Sequence, residues 1–294
     1  MYLVEIFYHS DNFCKNFNEY LSSKGLGDRK ETAGRKRGLT TSEIMTIVIN
    51  FHHSRMRTFK DYYNLHVRPF LRQAFPGLVS YNRFTELMKE CVFPLYLFIN
   101  YCCLGKVTGI AFIDSTKLVV CNNLRISSNK VFKGIAKRGK TSTGWFYGFK
   151  LHLVINEYGE IIAFDISTGN VDDRNPGIME RLTNRLKGKL FGDRGYLSKK
   201  LFQNLYSRGI QLFTKLKSNM KSTIFSLQDK LLLNKRGIIE TVNGQLKSLC
   251  QVEHTRHRSV HNFFVNTLAA IAAYSFLPNK PSIVSLNPSQ ITHQ

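Results

Sequence analysis

The feature that most constrains this chain is a change of hydrophobic period near residue 107. Up to Cys103 the segments read as helices, each opened by a residue suited to capping. Ser42 precedes EIMTIVINFHH, Thr58 precedes FKDYYNLHV until Pro69, and Ser80 precedes YNRFTELMKECV until Pro94. From Gly109 the pattern becomes that of strands, starting with the β-rich apolar run GIAFID, which suits a strand buried on both faces.

Alternation follows. Tyr147, Phe149, Leu151, Leu153 and Ile155 alternate with smaller or polar residues, and after a turn signal at Gly159 the pattern resumes through Ile162, Phe164 and Ile166, which predicts a hairpin. A helix over 176–186, a strand in KLFGD, a helix over 198–207 and a strand in IQLFTKLK come next, then helices over 236–249 and 261–276. The spacing predicts three parts: an all-α N-terminal domain over 1–107, an α/β domain with a mixed sheet flanked by helices over 108–277, and a loose tail over 278–294 marked by Pro278, Pro281 and Pro288.

Charge then narrows the partners. The chain holds 42 Lys and Arg against 20 Asp and Glu, a net +22, where solubility alone asks roughly 2 to 8 on a small domain. Such an excess points to a polyanion, and nucleic acid is the expected partner. The start MYLVEIFYHSDNF has none of the marks of a secretory signal, and the longest uncharged stretches fall short of the ~20 apolar residues that span a bilayer, so no membrane role and a cytoplasmic location are expected. Six cysteines without a CxxC pair read as reduced core thiols.

In so basic a chain the acids are informative. Asp114, in FIDSTK, is followed by no further acid until Glu157, and Asp193, in LFGDRGY, by none until Asp229. Both are placed at strand ends, where α/β sheets bind ligands. The third acid, Glu240, lies on a helix whose apolar stripe is Ile239, Val242, Leu246 and Leu249, beside a polar stripe of Arg236, Glu240, Asn243, Gly244 and Lys247. Gly244 costs about 1 kcal/mol relative to Ala inside a helix, which close approach of a phosphate backbone would explain. The same residues also read as plain ion-pair partners, Asp114 with Lys117, Asp193 with Arg194, and Arg236 with Glu240 as a solvated i, i+4 pair.

Taken together, FIDSTK, FGDRGY and Arg236-x3-Glu240-x6-Lys247 resemble the DDE transposases of bacterial insertion sequences, whose third carboxylate sits in an R-x3-E-x6-K signature. GFKLHLVINEYGEIIAF and STGNVDD resemble that family's linking hairpin and the segment after it, and RGIIETVNGQLK with the overall length resembles most the group numbered nine-eight-two. The resemblance covers 108–275 and, more loosely, the helical N-terminus. Related signatures carry Tyr three residues before the Arg, where this chain has Leu233.

The resemblance implies an RNase H-like domain in which Asp114, Asp193 and Glu240 converge to hold Mg²⁺, with Mn²⁺ able to substitute. Two such ions would support water-driven cleavage at the element's end and attack of the freed 3′-hydroxyl on target DNA. It also implies terminal inverted repeats and target DNA as partners, and a homo-oligomer in the active complex. Arg236 and Lys247 come with the signature as DNA contacts. From the acid-free stretches Lys137, Arg138, Lys215 and Lys217 are expected to neutralise phosphates, as are Arg256 and Arg258. An RNase H-like nuclease that does not join strands, or an inactive basic DNA-binding protein, would share the charge.

Other signals are weaker. Cys250, His254, His257 and His261 fit no common zinc spacing, Ser115 and Thr116 lack a G-x-S-x-G context, and His152 reads as structural. RKRGLTTSEI and Ser80-Tyr-Asn-Arg-Phe are candidates for reading element ends as in a helix-turn-helix, and equally for a dimer contact.

Overall fold

The computed structural model describes residues 2–26, 38–215, 226–253 and 257–283. By proximity of its backbone the chain forms two compact units: Met1–Leu104, Ser127–Lys133 and Gln245–Leu277 in the first, and Gly105–Ile126, Gly134–Gly244 and Pro278–Gln294 in the second.

The first unit is helical. Helix α1 (Tyr2–Ser23) packs on α2 (Thr41–Phe51). Thr40 rather than Ser42 caps α2: it accepts from Glu43 N while the Glu43 carboxylate accepts from Thr40 N, a complete capping box. Ser42 is already inside the helix and donates to Asp11 Oδ1.

Thr58 and Ser80 cap as the sequence suggests, but neither proline stops its helix. From α3 (Phe59–Tyr62) the chain continues through a π-helical turn (Tyr63–Val67) into α4 (Arg68–Phe70), where Pro69 occupies a first-turn position. Likewise α5 (Tyr81–Leu87) passes through a 3₁₀ turn (Met88–Cys91) into α6 (Val92–Phe98), with Pro94 in its first turn. There the missing N–H is one that a helix start leaves unpaired anyway.

In the second unit β1 (Ile110–Cys121) runs antiparallel to β3 (Gly144–Asn156) and parallel to β5 (Gly188–Gly192), which is in turn parallel to β6 (Ile210–Thr214). The far edge of β3 is shared: β2 (Lys137–Thr141) pairs with its first residues and β4 (Ile161–Thr168) with the rest. Three antiparallel strands followed by two parallel ones in the order β4-β3-β1-β5-β6 form an RNase H-like mixed sheet, the expected fold class. The β3–β4 hairpin turns at Gly159, whose φ of +70° is left-handed.

One sheet face carries Ala111, Ile113, Leu190 and Leu212, buried against α7 (Pro176–Thr183) and α8 (Lys199–Ser207) through Ile178, Met179, Leu182, Leu201 and Leu205. On the alternate positions Phe112, Phe191 and Phe213 stack across the three strands, with centroids 5.4 and 5.0 Å apart. Helix α9 (Leu227–Asn234), absent from the sequence reading, packs on β5 and β6, and its Asp229 pairs with Lys189.

Helix α10 (Ile238–Ser248) follows, and the division between the units falls inside it. Ile239, Val242 and Leu246 are fully buried, but Leu249 is 38% exposed because the helix has ended at Ser248. Helix α11 (Val260–Ser275), placed by the sequence pattern with the α/β segment, packs against α2 and α6 of the first unit.

Candidate active site

Asp114 is not at a strand end. It lies inside β1 opposite Leu153, because β3 extends the antiparallel ladder along β1 as far as Cys121. The parallel ladder with β5 stops earlier, its last rung being Phe112 beside Phe191. Asp114 and Asp193 each come two residues after that rung. Since side chains alternate along extended backbone, each points to the side of the sheet carrying its phenylalanine. Asp193 itself is extended (φ −76°, ψ 179°) and opens a 3₁₀ turn, its Oδ1 accepting from Gly195 N at 2.8 Å. A Cβ on residue 195 would stand 2.9 Å from that oxygen, so the Gly in FGDRGY permits the contact.

Asp114 is partly buried and its carboxyl is pushed up to about 6. Burial is the main cause, and the charges of Asp193 and Glu240 add to it against the Ser115 backbone N–H and Arg236. The charges of Asp193 and Glu240 therefore both reach Asp114. Asn243, one turn beyond Glu240, donates from Nδ2 to Asp114 Oδ2 at 3.2 Å. Arg236 donates to Glu240 Oε1 at 2.6 Å, and Glu240 is 61% exposed while Arg236 is only 19% exposed.

Tyr196 packs with Ile113 and the residues of α7 and α8. It is buried, its hydroxyl has no hydrogen-bond partner among the described residues, and burial first, then Asp173, Asp114 and Asp193, raise its pKa. It stood in the FGDRGY string with no role attached. Asn243 stood on the polar stripe, but only the fold shows that the stripe meets β1.

Among the described residues no three His, Cys, Asp or Glu side chains are gathered closely enough to enclose a metal ion. Repulsion among unliganded carboxylates and the Arg236 pairing of Glu240 both oppose their gathering. Their chemistry nonetheless fits a hard divalent cation. All are carboxylate oxygens, and a positive ion would oppose the desolvation and repulsion that raise the pKa of Asp114.

The expected DNA contacts divide. Lys137 and Arg138 are exposed on the edge strand β2, where Arg138 and Lys140 lie 5.6 and 5.7 Å from the ring of Trp145, itself 56% exposed. Lys215 is exposed just past β6 and Arg258 just before α11. Lys247 is partly committed, its Nζ lying 3.1 Å from Glu253 Oε2. Lys217 and Arg256 lie outside the described residues, as does His254 of the rejected zinc group.

His152 is structural: it is fully buried, with Nε2 2.8 Å from Ser167 Oγ, and burial lowers its pKa. Leu233 is buried. Of the cysteines Cys14, Cys91 and Cys250 are buried, whereas Cys102 is exposed, so they are free thiols but not all core residues. No helix among the described residues is long and apolar enough to cross a membrane.

A family model described as the transposase DDE domain matches residues 104–260, more than half of the chain. The chain belongs to the DDE transposases. No curated protein matches it. Among solved structures it is similar to a piggyBac transposase synaptic complex with hairpin DNA, at 12% identity over 92% of this chain and 72% of that one, with a TM-score of 0.48. It is also similar to the Mos1 strand transfer complex, at 12% identity over 90% and 84%, with a TM-score of 0.23. At those scores neither likeness adds to what the family match of this transposase establishes.

Proposed function

We propose that this transposase is encoded by a bacterial insertion sequence of the group numbered nine-eight-two. In this reading it binds the terminal inverted repeats of its element, cuts there, and joins the freed ends to target DNA. The observation that supports this most directly is the shared offset of Asp114 and Asp193 past the Phe112–Phe191 rung, with Glu240 within reach.

Asp114, Asp193 and Glu240 would hold Mg²⁺, or Mn²⁺ in its place. When bound, such ions neutralise phosphate charge and lower the pKa of the attacking water or hydroxyl. The protein's own part is to hold the carboxylates. Asn243 and Ser115 anchor Asp114, Gly195 anchors Asp193, and Arg236 pairs with Glu240. Arg236, Lys137, Arg138, Lys215, Lys217, Arg256, Arg258 and Lys247 supply cations for the DNA backbone, within an oligomer acting in the cytoplasm at the nucleoid. The N-terminal helices read the element ends.

The deciding experiment is a strand-transfer assay on DNA carrying the inverted repeats that flank the coding region. Joined products with Mg²⁺ or Mn²⁺ and none in EDTA are expected. Nicks without joining would show a nuclease, and absence of both with binding retained would show an inactive DNA-binding protein.

A further inference from the structure

A second site lies in the first unit. The leads into α3 and α11 and one side of α5 enclose a cavity of about 870 Å³, within the roughly 300–1,000 Å³ that small-ligand sites occupy. Arg57, Lys60 and Arg258 line it, and among the described residues none of the three enters an ion pair. The charge of Asp61 reaches Tyr81, and its carboxylate accepts from Thr58 Oγ1 at 2.7 Å. His257, also in the lining, is held neutral by burial, its pKa lowered to about 4, so the positive charge comes from the three long side chains.

Two further features specify the ligand. Tyr81 is only partly buried, lines the same cavity as Arg258, and lies close enough to it for that charge to act on its phenol. Asn262 presents an unused acceptor. Its Nδ2 donates to the Thr85 carbonyl at 3.3 Å, which fixes the amide orientation, and its Oδ1 is buried with no partner among the described residues. A buried acceptor without a partner is costly, and a base N–H that reached it as the strand seats would recover that cost.

We infer that this cavity holds one unpaired nucleotide of a DNA strand, its base on Tyr81, a base N–H on Asn262 Oδ1, and its flanking phosphates against Arg57, Lys60 and Arg258. A double helix is too wide for such a volume, whereas one unstacked nucleotide fits it. Cations on separate elements suit successive phosphates of a strand better than the single phosphate of a free nucleotide. The inference rests on DNA being the substrate, but not on the acids being catalytic.

The test uses the full chain in EDTA, where no cleavage occurs. The probe is a fluorescent single-stranded octamer carrying one 5-iododeoxyuridine, whose ring keeps an N–H for Asn262. Irradiation should cross-link it to the peptide containing Tyr81. Tyr81→Ala should weaken binding about tenfold, Tyr81→Phe should leave it unchanged, and Arg258→Ala and Asn262→Leu should each weaken it severalfold. The fully paired duplex should not cross-link at Tyr81, and free thymidine monophosphate should compete only far more weakly than the octamer.

Cross-linking elsewhere, or wild-type affinity in both Arg258→Ala and Asn262→Leu, would overturn the inference even if Tyr81→Ala fails to fold. Competition by the mononucleotide as strong as by the octamer would overturn the strand and leave a nucleotide site. Asp193→Asn separates the two readings: loss of its cleavage with the cross-link intact supports both, and cleavage that survives it sinks only the catalytic assignment.

Discussion

Asp114 and Asp193 each follow the last parallel rung, Phe112 beside Phe191, by two residues, Asp114 inside β1 where that strand continues and Asp193 in the turn to which β5 gives way. With the phenylalanines in register the two acids have equal offsets, and the charge of Asp193 acts on Asp114. The cost appears on Asp114, which carries the raised pKa.

That cost predicts a stability change. The folded-state pKa of about 6 exceeds the usual value of 3.8, so the folded protein holds the proton more tightly than the unfolded chain. Below pH 3.8 Asp114 is neutral in both states and costs nothing. As pH rises through 6 the folded state must accept a disfavoured charge, and stability falls by up to about 3 kcal/mol. Asp114→Asn should therefore melt above wild type at pH 7.5 without metal, with the difference shrinking to nothing near pH 4. A difference independent of pH would show that the carboxyl is not strained.

Asp193→Asn is expected to abolish cleavage and joining together while DNA affinity stays equal or rises slightly, since one negative charge facing phosphate is removed. Calcium should likewise support binding without chemistry, because its longer and looser coordination suits the reactive geometry poorly. Gel-shift and cleavage assays on one preparation read both. Binding lost in step with activity would make Asp193 structural, as the cap of its 3₁₀ turn.

Much of this site was legible because its parts are short motifs with strong local chemistry. FGDRGY states a strand end, a cap and the Gly that lets the carboxylate turn back. What pattern alone hid depends on pairing partners. GIAFID reads as a six-residue strand, yet β1 is twelve residues long because β3 offers thirteen to pair with. The polar run FIDSTK continues as strand only through that ladder, so Asp114 moved from a strand end to a strand interior. The same holds for Asn243: its helical face is plain in sequence, but its bond to a residue 129 positions away is not. Pro69 and Pro94 misled for the opposite reason, since π and 3₁₀ turns restart the helix and make them first-turn residues.

Gly244 offers a clean separation of stability from function. A Cβ there would meet nothing within 4 Å, and the position is exposed on α10, so Gly244→Ala should stabilise the free protein by about 1 kcal/mol. If a phosphate backbone approaches this point, the same change should lower DNA affinity or cleavage severalfold despite the higher melting temperature. A stabilised variant with unchanged activity would leave the glycine without a role in DNA binding.

Binding charge and catalytic charge should also part company. Lys137 is exposed on β2, so Lys137→Ala should weaken DNA binding and lower the slope of log K against log salt by about one, with sequence preference unchanged. Lys247 lies two turns beyond Glu240 on α10 and already faces Glu253 at 3.1 Å, so its charge is partly offset before DNA arrives. Its removal should change the salt slope less than Lys137→Ala does, and should lower the single-turnover cleavage rate more than the affinity, as expected of a contact made mainly in the transition state. Salt titrations beside single-turnover cleavage for the two variants distinguish these effects. If Lys247→Ala cleaves at the wild-type rate once bound, the lysine of the signature serves the Glu253 ion pair alone and takes no part in the reaction.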